Sequence, residues 1–155
     1  MWKIAFLSKR ERSANTNTER TMQQFTRKTG ANKGAPRTWL EGLILEDHGW
    51  VTGTEFVASI HRGFVTYTRN GANVADLPFP PPILQKTRRV AGKPGRPVID
   101  TNGEHLRKIA GFTPGNLLTV LMHGDYIAVF DPKVVESLYT LWPNLAADIW
   151  ERGAA

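Results

Sequence analysis

The feature that most constrains the fold is an internal repeat, which appears when the chain is shifted against itself so that Gly49 falls on Gly111. The same shift places turn glycines on turn glycines and strand-like apolar residues on apolar residues without a gap. Amphipathic hairpins resemble one another, but the shared glycine-aromatic opening and the shared histidine favour duplication. The other coincident pairs are Ile44 and Leu106, Trp50 and Phe112, Gly53 and Gly115, Phe56 and Leu118, Ile60 and Met122, His61 and His123, Phe64 and Tyr126, and Val65 and Ile127.

The sequence pattern of each half predicts a short helix followed by a hairpin. The segments 55–60 and 64–68 alternate as strands around His61-Arg62-Gly63, and 111–130 repeats the pattern around His123-Gly124-Asp125. The segment 38–50 predicts a short helix, or a strand followed by a helix. The sequence therefore indicates a mainly β protein with short helices (α+β). One half of about 35 residues has too small a core to stand alone, so we expect two halves packed about a pseudo-twofold axis.

Five segments follow from this pattern. We expect a basic flexible N-terminal arm over 1–36, because 8–36 is polar and holds few apolar residues. The second segment is the first half of the repeat, and the third is a linker that is rich in proline and then basic. The fourth is the second half, and the fifth carries apolar residues at helical spacing, which predicts C-terminal helices. The boundaries are 1–36, 37–70, 71–94, 95–131 and 132–155.

The positive charge is concentrated in two segments. The chain has 20 Lys and Arg against 14 Asp and Glu, a net charge of +6. Residues 1–38 hold nine Lys or Arg and two Glu, whereas 86–96 holds five Lys or Arg and no acidic residue. Concentrated positive charge attracts polyanions, above all nucleic acid. The alternative is a pair of solvated basic segments that keep the protein in solution.

Several classes of site find no support in the sequence. Without Cys there are no disulfides or thiolate metal sites, and the four histidines (His48, His61, His105, His123) lack zinc-ligand spacing. We therefore predict no metal and no cofactor. No catalytic motif is present, so we predict that the protein is not an enzyme. No apolar run reaches the roughly 18 residues of a membrane span and the start lacks a signal-peptide pattern, which predicts a cytoplasmic, nucleoid-associated protein.

Two segments resemble a known DNA-binding superfamily. The stretch "GRPVID…LRKIAGFTPGNLLTVLMHGDYIAVF" (95–130) resembles the AbrB-type swapped-hairpin domain, through its "GR" before a short strand, its "LRK" helix and its Gly-Asp hairpin turn. The stretch "WLEGLILEDHGWVTGTEFVASIHRGFVTYTR" (39–69) is similar to the SymE branch, in which "WLE" precedes a Gly-aromatic turn. The resemblance implies a swapped-hairpin AbrB/SymE-like barrel built from two tandem halves.

The resemblance also implies that basic residues before and within each helix contact duplex DNA. It assigns this role to Arg96 with its neighbours, to the basic pair of the second helix, and to the positions before "WLE". Arginine can bridge phosphate oxygens or read guanine edges, and lysine supplies point charge. The candidate nucleic-acid-binding residues are Lys33, Arg37, Arg88, Arg89, Lys93, Arg96, Arg107 and Lys108.

Other functions remain open from the sequence. A SymE-like RNA-binding toxin or endoribonuclease is the main alternative to a DNA-binding regulator or site-specific accessory factor. A protein-interaction module is a further one, using "PFPPP" (78–82) or the C-terminal helices, which could also form a homodimer interface. Trp2, Trp39 and Trp50 are candidates for stacking on bases, although aromatic residues beside turns are more often part of a core.

Overall fold

The computed structural model describes residues 23–76 and 81–133, which form ten strands and two short α-helices. The predicted mainly β, α+β class is confirmed. Of the predicted C-terminal helices, only Pro132 and Lys133 are described, and both are helical. The elements are β1 (Gln23–Lys28), β2 (Gly30–Asn32), β3 (Ala35–Glu41), α1 (Leu43–Asp47), β4 (Glu55–His61), β5 (Phe64–Arg69), a 3-10 helix (Val74–Asp76), β6 (Leu84–Arg89), β7 (Ala91–Lys93), β8 (Arg96–Asn102), α2 (Glu104–Lys108), β9 (Leu117–His123) and β10 (Tyr126–Phe130).

The strands form two antiparallel sheets whose orders are symmetric. The larger sheet has the order β1-β9-β10-β5-β4-β6, and the smaller has the order β2-β3-β8-β7. Both predicted hairpins are confirmed, as β4-β5 and β9-β10. The first strand of each repeat pairs with the hairpin of the other repeat, because β1 adds to β9 and β6 adds to β4. The two halves are therefore interlocked.

The spacing of the repeat changes by one position after the helices. Trp50 N donates to Leu45 O at 2.9 Å, and Phe112 N donates to Leu106 O at 2.9 Å. Leu45 is therefore the repeat mate of Leu106, that is, the residue at the equivalent position of the other repeat. Both side chains are fully buried. The predicted match of Ile44 with Leu106 is wrong by one position, because the turn after α2 is one residue longer than the turn after α1.

Strand register locates a pseudo-twofold axis. A residue that pairs with its own repeat mate must lie on the axis that relates the repeats. The shift that places Leu45 on Leu106 also places Trp39 on Asp100, and these two residues pair in the smaller sheet. The shift that aligns the hairpins places Thr66 on Ala128, and these two residues pair in the larger sheet. The axis therefore passes through the centres of both sheets.

Two segments predicted as an arm and a linker contain strands. The described part of the arm, 23–36, forms β1, β2 and the start of β3, and the part of the linker from 84 to 93 forms β6 and β7. Every residue of β6 is exposed, so this edge strand has no alternating apolar pattern. The remainder of the arm, 1–22, and the proline-rich positions 77–80 lie outside the described residues.

The core lies between the sheets and is closed by the helices and the turns that follow them. Trp50 and Phe112, the aromatic residues of those turns, are fully buried. Trp50 meets Phe56 edge-on, with ring centroids 6.0 Å apart, and Phe56 meets Tyr67 edge-on at 5.5 Å. Among the described residues no helix is long and apolar enough to cross a membrane.

A buried tyrosine hydroxyl connects the smaller sheet to the larger one. Tyr67 on β5 is fully buried, and its Oη lies 2.6 Å from Thr101 Oγ1 on β8 and 3.1 Å from Thr38 Oγ1 on β3. Burial raises the pKa of the Tyr67 hydroxyl, and the hydrogen bonds to the two threonines oppose that shift. The neutral hydroxyl is thus the form that the folded state favours.

We expect Tyr67→Phe to lower the free energy of unfolding by about 1–2 kcal/mol at neutral pH, because it leaves buried threonine hydroxyls with fewer partners. The pKa of Tyr67 is raised on folding, so its contribution is complete below the unfolded-state value of about 10 and declines above it. Urea unfolding between pH 7 and 11 should show the difference between wild type and Tyr67→Phe shrinking above about pH 10. A difference that stays constant over that range would contradict this account.

A buried arginine joins the end of α1 to the turn of the second hairpin. Arg69 Nε donates to Asp125 Oδ1 at 2.8 Å, and its Nη2 donates to His48 O at 2.7 Å. Its guanidinium lies 4.7 Å from the centre of the Trp50 ring, and the side chain is only 7 % exposed. Arg69 therefore holds three segments from both repeats together.

Candidate nucleic-acid interface

Two bent strands form the outer edges of the molecule. In each repeat the first two strands are separated by a single buried residue, Thr29 between β1 and β2 and Val90 between β6 and β7. The chain passes from the larger sheet to the smaller sheet at these points. Because β1, β2, β6 and β7 are all terminal strands of their sheets, each bent pair follows one side of the molecule.

Both bends are held by the same backbone hydrogen bonds. Thr29 N donates to Asn116 O at 2.7 Å, and Gly115 N donates to Thr29 O at 2.8 Å. Val90 N donates to Thr54 O and Gly53 N donates to Val90 O, each at 2.8 Å. Gly53 and Gly115 have φ angles of 92° and 93°, which favour glycine. The turn before each hairpin therefore fixes the edge strand of the other repeat.

A pair of basic residues precedes each bend. Arg27 and Lys28 stand before Thr29, and Arg88 and Arg89 stand before Val90. Arg27 pairs in register with Leu118, and Arg88 pairs with Phe56, the repeat mate of Leu118. The two basic pairs therefore occupy equivalent positions about the pseudo-twofold axis.

These cations are weakly engaged within the fold. Arg89 donates to Gly53 O at 3.2 Å and lies 3.4 Å from Glu55. Both side chains of this ion pair are more than half exposed, and such a pair contributes about 0–1 kcal/mol. Arg27 donates to the carbonyl of Thr26 and lies 4.5 Å from the centre of the Phe25 ring. Within 23–76 and 81–133, neither Lys28 nor Arg88 forms an ion pair.

The remaining predicted cations of the strands and turns lie further along the same edges. Lys33 stands in the turn between β2 and β3 with a φ angle of 54°, and Lys93 and Arg96 flank the turn between β7 and β8. All three are exposed. We call the two sets the basic edges. The first basic edge is Arg27, Lys28 and Lys33, and the second basic edge is Arg88, Arg89, Lys93 and Arg96.

Two of the predicted arginines are engaged in structural contacts. Arg37 donates from Nε and Nη2 to the two carboxylate oxygens of Asp100 at 2.8 and 2.9 Å, and its guanidinium lies 4.2 Å from the centre of the Trp39 ring. The hydrogen bond to Asp100 raises the pKa of Arg37, against the effect of burial. This pair spans β3 and β8 beside the pseudo-twofold axis, so we assign Arg37 a role in joining the repeats.

Arg107 has a similar structural role at α2. It donates to both carboxylate oxygens of Glu104 at 2.7 and 2.8 Å, and its Nη2 donates to Gly34 O at 2.9 Å. It thereby attaches α2 to the turn that carries Lys33. Lys108 is exposed and lies on the same helix. The structure thus places α2 beside the end of the first basic edge.

Sequence reasoning missed Arg27 and Lys28 as members of the site. Both belong to the basic N-terminal segment, for which the sequence predicts an arm and no strand. The shift that places Leu45 on Leu106 also aligns Arg27-Lys28 with Arg88-Arg89, and this is the signal that could have identified them. The shift that aligns the hairpins places Arg27 on Arg89 instead, so it misaligns the two pairs by one position.

Most of the histidines and tryptophans considered in the sequence analysis and described in the structure are buried. His61 and His123 are the last residues of β4 and β9 and are buried, whereas the sequence predicts them in hairpin turns. Trp50 is buried and cannot stack on a base, whereas Trp39 is 38 % exposed under Arg37. Trp2 lies outside the described residues. In the described part of the chain no group of three His, Asp or Glu side chains could hold a metal ion.

The architecture consists of two interlocked repeats, each with a basic strand at an outer edge of the sheets. Comparison of the chain with protein-family models, with curated proteins and with solved structures finds no match.

Proposed function

We propose that the chain binds duplex DNA through its two basic edges and acts as a regulator or site-specific accessory factor without catalysing a reaction. The observation that carries the proposal is the equivalence of Arg27-Lys28 and Arg88-Arg89 about the pseudo-twofold axis. Duplex DNA has its own approximate twofold repeat, and symmetric proteins commonly match it with symmetric contacts.

Basic residues on edge strands also have a protective role, because charge discourages pairing with a strand of another molecule. Protection against strand pairing requires charge on an edge strand. It does not require a continuous row of cations, most of which have no acidic partner. The second basic edge runs through β6, Val90 and β7 into the next turn, with Arg89-Glu55 as its one ion pair within 23–76 and 81–133. Such a path suits successive phosphates along a DNA backbone.

The strand exchange supports a second part of the proposal, a swapped-hairpin arrangement of the AbrB and SymE type. Each repeat supplies an edge strand to the hairpin of the other, as β1 does to β9 and β6 does to β4. In that arrangement neither repeat can present its basic edge unless the other is folded. DNA contact would therefore depend on both halves of one chain.

We expect duplex binding to depend steeply on salt. If the seven cations of the two basic edges each meet a phosphate, affinity should fall by about a thousandfold or more between ~50 and ~200 mM salt. Fluorescence anisotropy of a labelled duplex, titrated at several salt concentrations, measures this slope. Affinity that changes little with salt, or no binding at the lowest salt concentration, would contradict the proposed function.

A further inference from the structure

A groove of about 390 Å³ opens between the edge of the larger sheet and the smaller sheet. Its apolar lining includes Ala58, Ile60 and Leu84, and its polar lining includes Thr101 and His105. Two cations, Lys86 and Arg88, stand on the side formed by β6. The groove therefore combines an apolar surface with positive charge.

The other repeat has apolar side chains at the equivalent positions, and we call it the filled repeat. Phe25 on β1 and Ile44 on α1 are partly buried and pack against the core there, together with the buried Leu40 and Val120. Strand register makes Phe25 the mate of Lys86, because Phe25 pairs with Val120 and Lys86 pairs with Ala58. The aromatic ring that fills the first repeat thus has no counterpart in the second.

Four lining residues of the groove are smaller or more polar than their equivalents in the other repeat, whereas Leu84 stands where the other repeat has Gln23. Compared with the filled repeat, the residues around the groove lack a phenyl ring and several methyl groups. A pseudo-symmetric fold can tolerate an apolar group at this place, as the first repeat demonstrates. The four pairs, with the filled repeat first, are Phe25 and Lys86, Leu40 and Thr101, Ile44 and His105, and Val120 and Ala58.

The cations of the groove have no acidic partner among 23–76 and 81–133, since neither Lys86 nor Arg88 forms an ion pair there. Arg88 lines the groove beside Lys86, two positions along the same edge strand. A ligand that brings its own negative charge would compensate both cations.

We propose that this groove binds a nucleoside monophosphate unit. The planar base takes the place that the Phe25 ring occupies in the other repeat, against Ala58 and Ile60, and its phosphate meets Lys86 and Arg88. Such a unit occurs both as a free nucleotide and as an unpaired nucleotide within a strand. The proposal does not require that the basic edges bind duplex DNA.

The test is titration of the full chain with a nucleoside monophosphate, followed by NMR of backbone amides. We expect millimolar or tighter binding, with shifts at Ile60, Lys86 and Thr101, and binding about tenfold or more weaker for the nucleoside alone and for inorganic phosphate. A second arm uses a short single-stranded oligonucleotide. Tighter binding of the strand identifies it as the source, and tighter binding of the mononucleotide identifies the free ligand.

A variant that fills the groove without changing formal charge provides the specific control. Ala58→Val with His105→Ile introduces the size of the residues found in the filled repeat, so it should fold, and it should weaken mononucleotide binding by about tenfold or more. Duplex binding should change by less than about twofold, because neither position belongs to a basic edge. No shifts at millimolar nucleotide, or unchanged binding by this variant, would overturn the proposal whatever the result with duplex DNA.

Discussion

Replacing the four cations of the two matched pairs is expected to weaken duplex binding by about a thousandfold or more at ~100 mM salt. Each phosphate contact contributes roughly one power of ten at that salt concentration, because each one releases about one condensed counterion. The variant is Arg27→Ala, Lys28→Ala, Arg88→Ala and Arg89→Ala combined. Anisotropy of a labelled duplex at constant salt measures the loss.

The fold should survive these four changes. Arg89-Glu55 is the one ion pair that the set makes within the described residues, and it is exposed. Arg62→Ala is a control for the loss of an exposed cation, because Arg62 lies in the turn between β4 and β5 rather than on a basic edge. A fully folded quadruple variant that binds duplex within about threefold of wild type would remove the basic edges from the account.

The second large effect concerns stability. Arg69→Met should lower the free energy of unfolding by about 2–4 kcal/mol, because it removes a buried cation with three hydrogen-bonded partners and an aromatic contact. Asp125 is 40 % exposed, so water can hydrate the carboxylate that remains, and the expected loss lies towards the lower end of values for buried pairs. Urea unfolding at neutral pH measures the difference.

Arg27→Met is the matched control for stability. Arg27 also has its guanidinium close to an aromatic ring, at 4.5 Å from the centre of Phe25, but it donates to the neighbouring Thr26 carbonyl rather than to a distant segment. This variant should lose less than about 1 kcal/mol. If Arg69→Met lost no more than Arg27→Met, the segments around His48 and Asp125 would be held together by other contacts.

The parts of the fold that sequence could predict are those with a local pattern. Both hairpins alternate because one face of each lies on the core, and the glycine-aromatic turns recur. The sequence did not predict β1 and β6, because both are edge strands. An edge strand pairs with one neighbour only and can lack the alternating apolar pattern that identifies a strand in a sequence. In β6, "LQKTRR" is exposed along its whole length, and only its pairing with β4 makes it a strand.

The candidate site was predictable in composition but not in arrangement. Clustering of charge identified Arg88, Arg89, Lys93 and Arg96, and the structure places all four on one edge. The ion pair that engages Arg37 joins two residues far apart in the sequence, and it depends on the register of β3 and β8. The groove beside β6 likewise follows from comparing equivalent positions in the two repeats, which requires the shift that relates Leu45 to Leu106.

The most direct test of the central claim compares the salt dependence of duplex binding for two double variants. One is Arg27→Ala with Lys28→Ala, and the other is Arg88→Ala with Arg89→Ala. If both basic edges contact one duplex, each variant should reduce the slope of log affinity against log salt by about two, and by equal amounts. A slope that changes for one variant and stays at the wild-type value for the other would show that the two edges do not act as equivalent contacts.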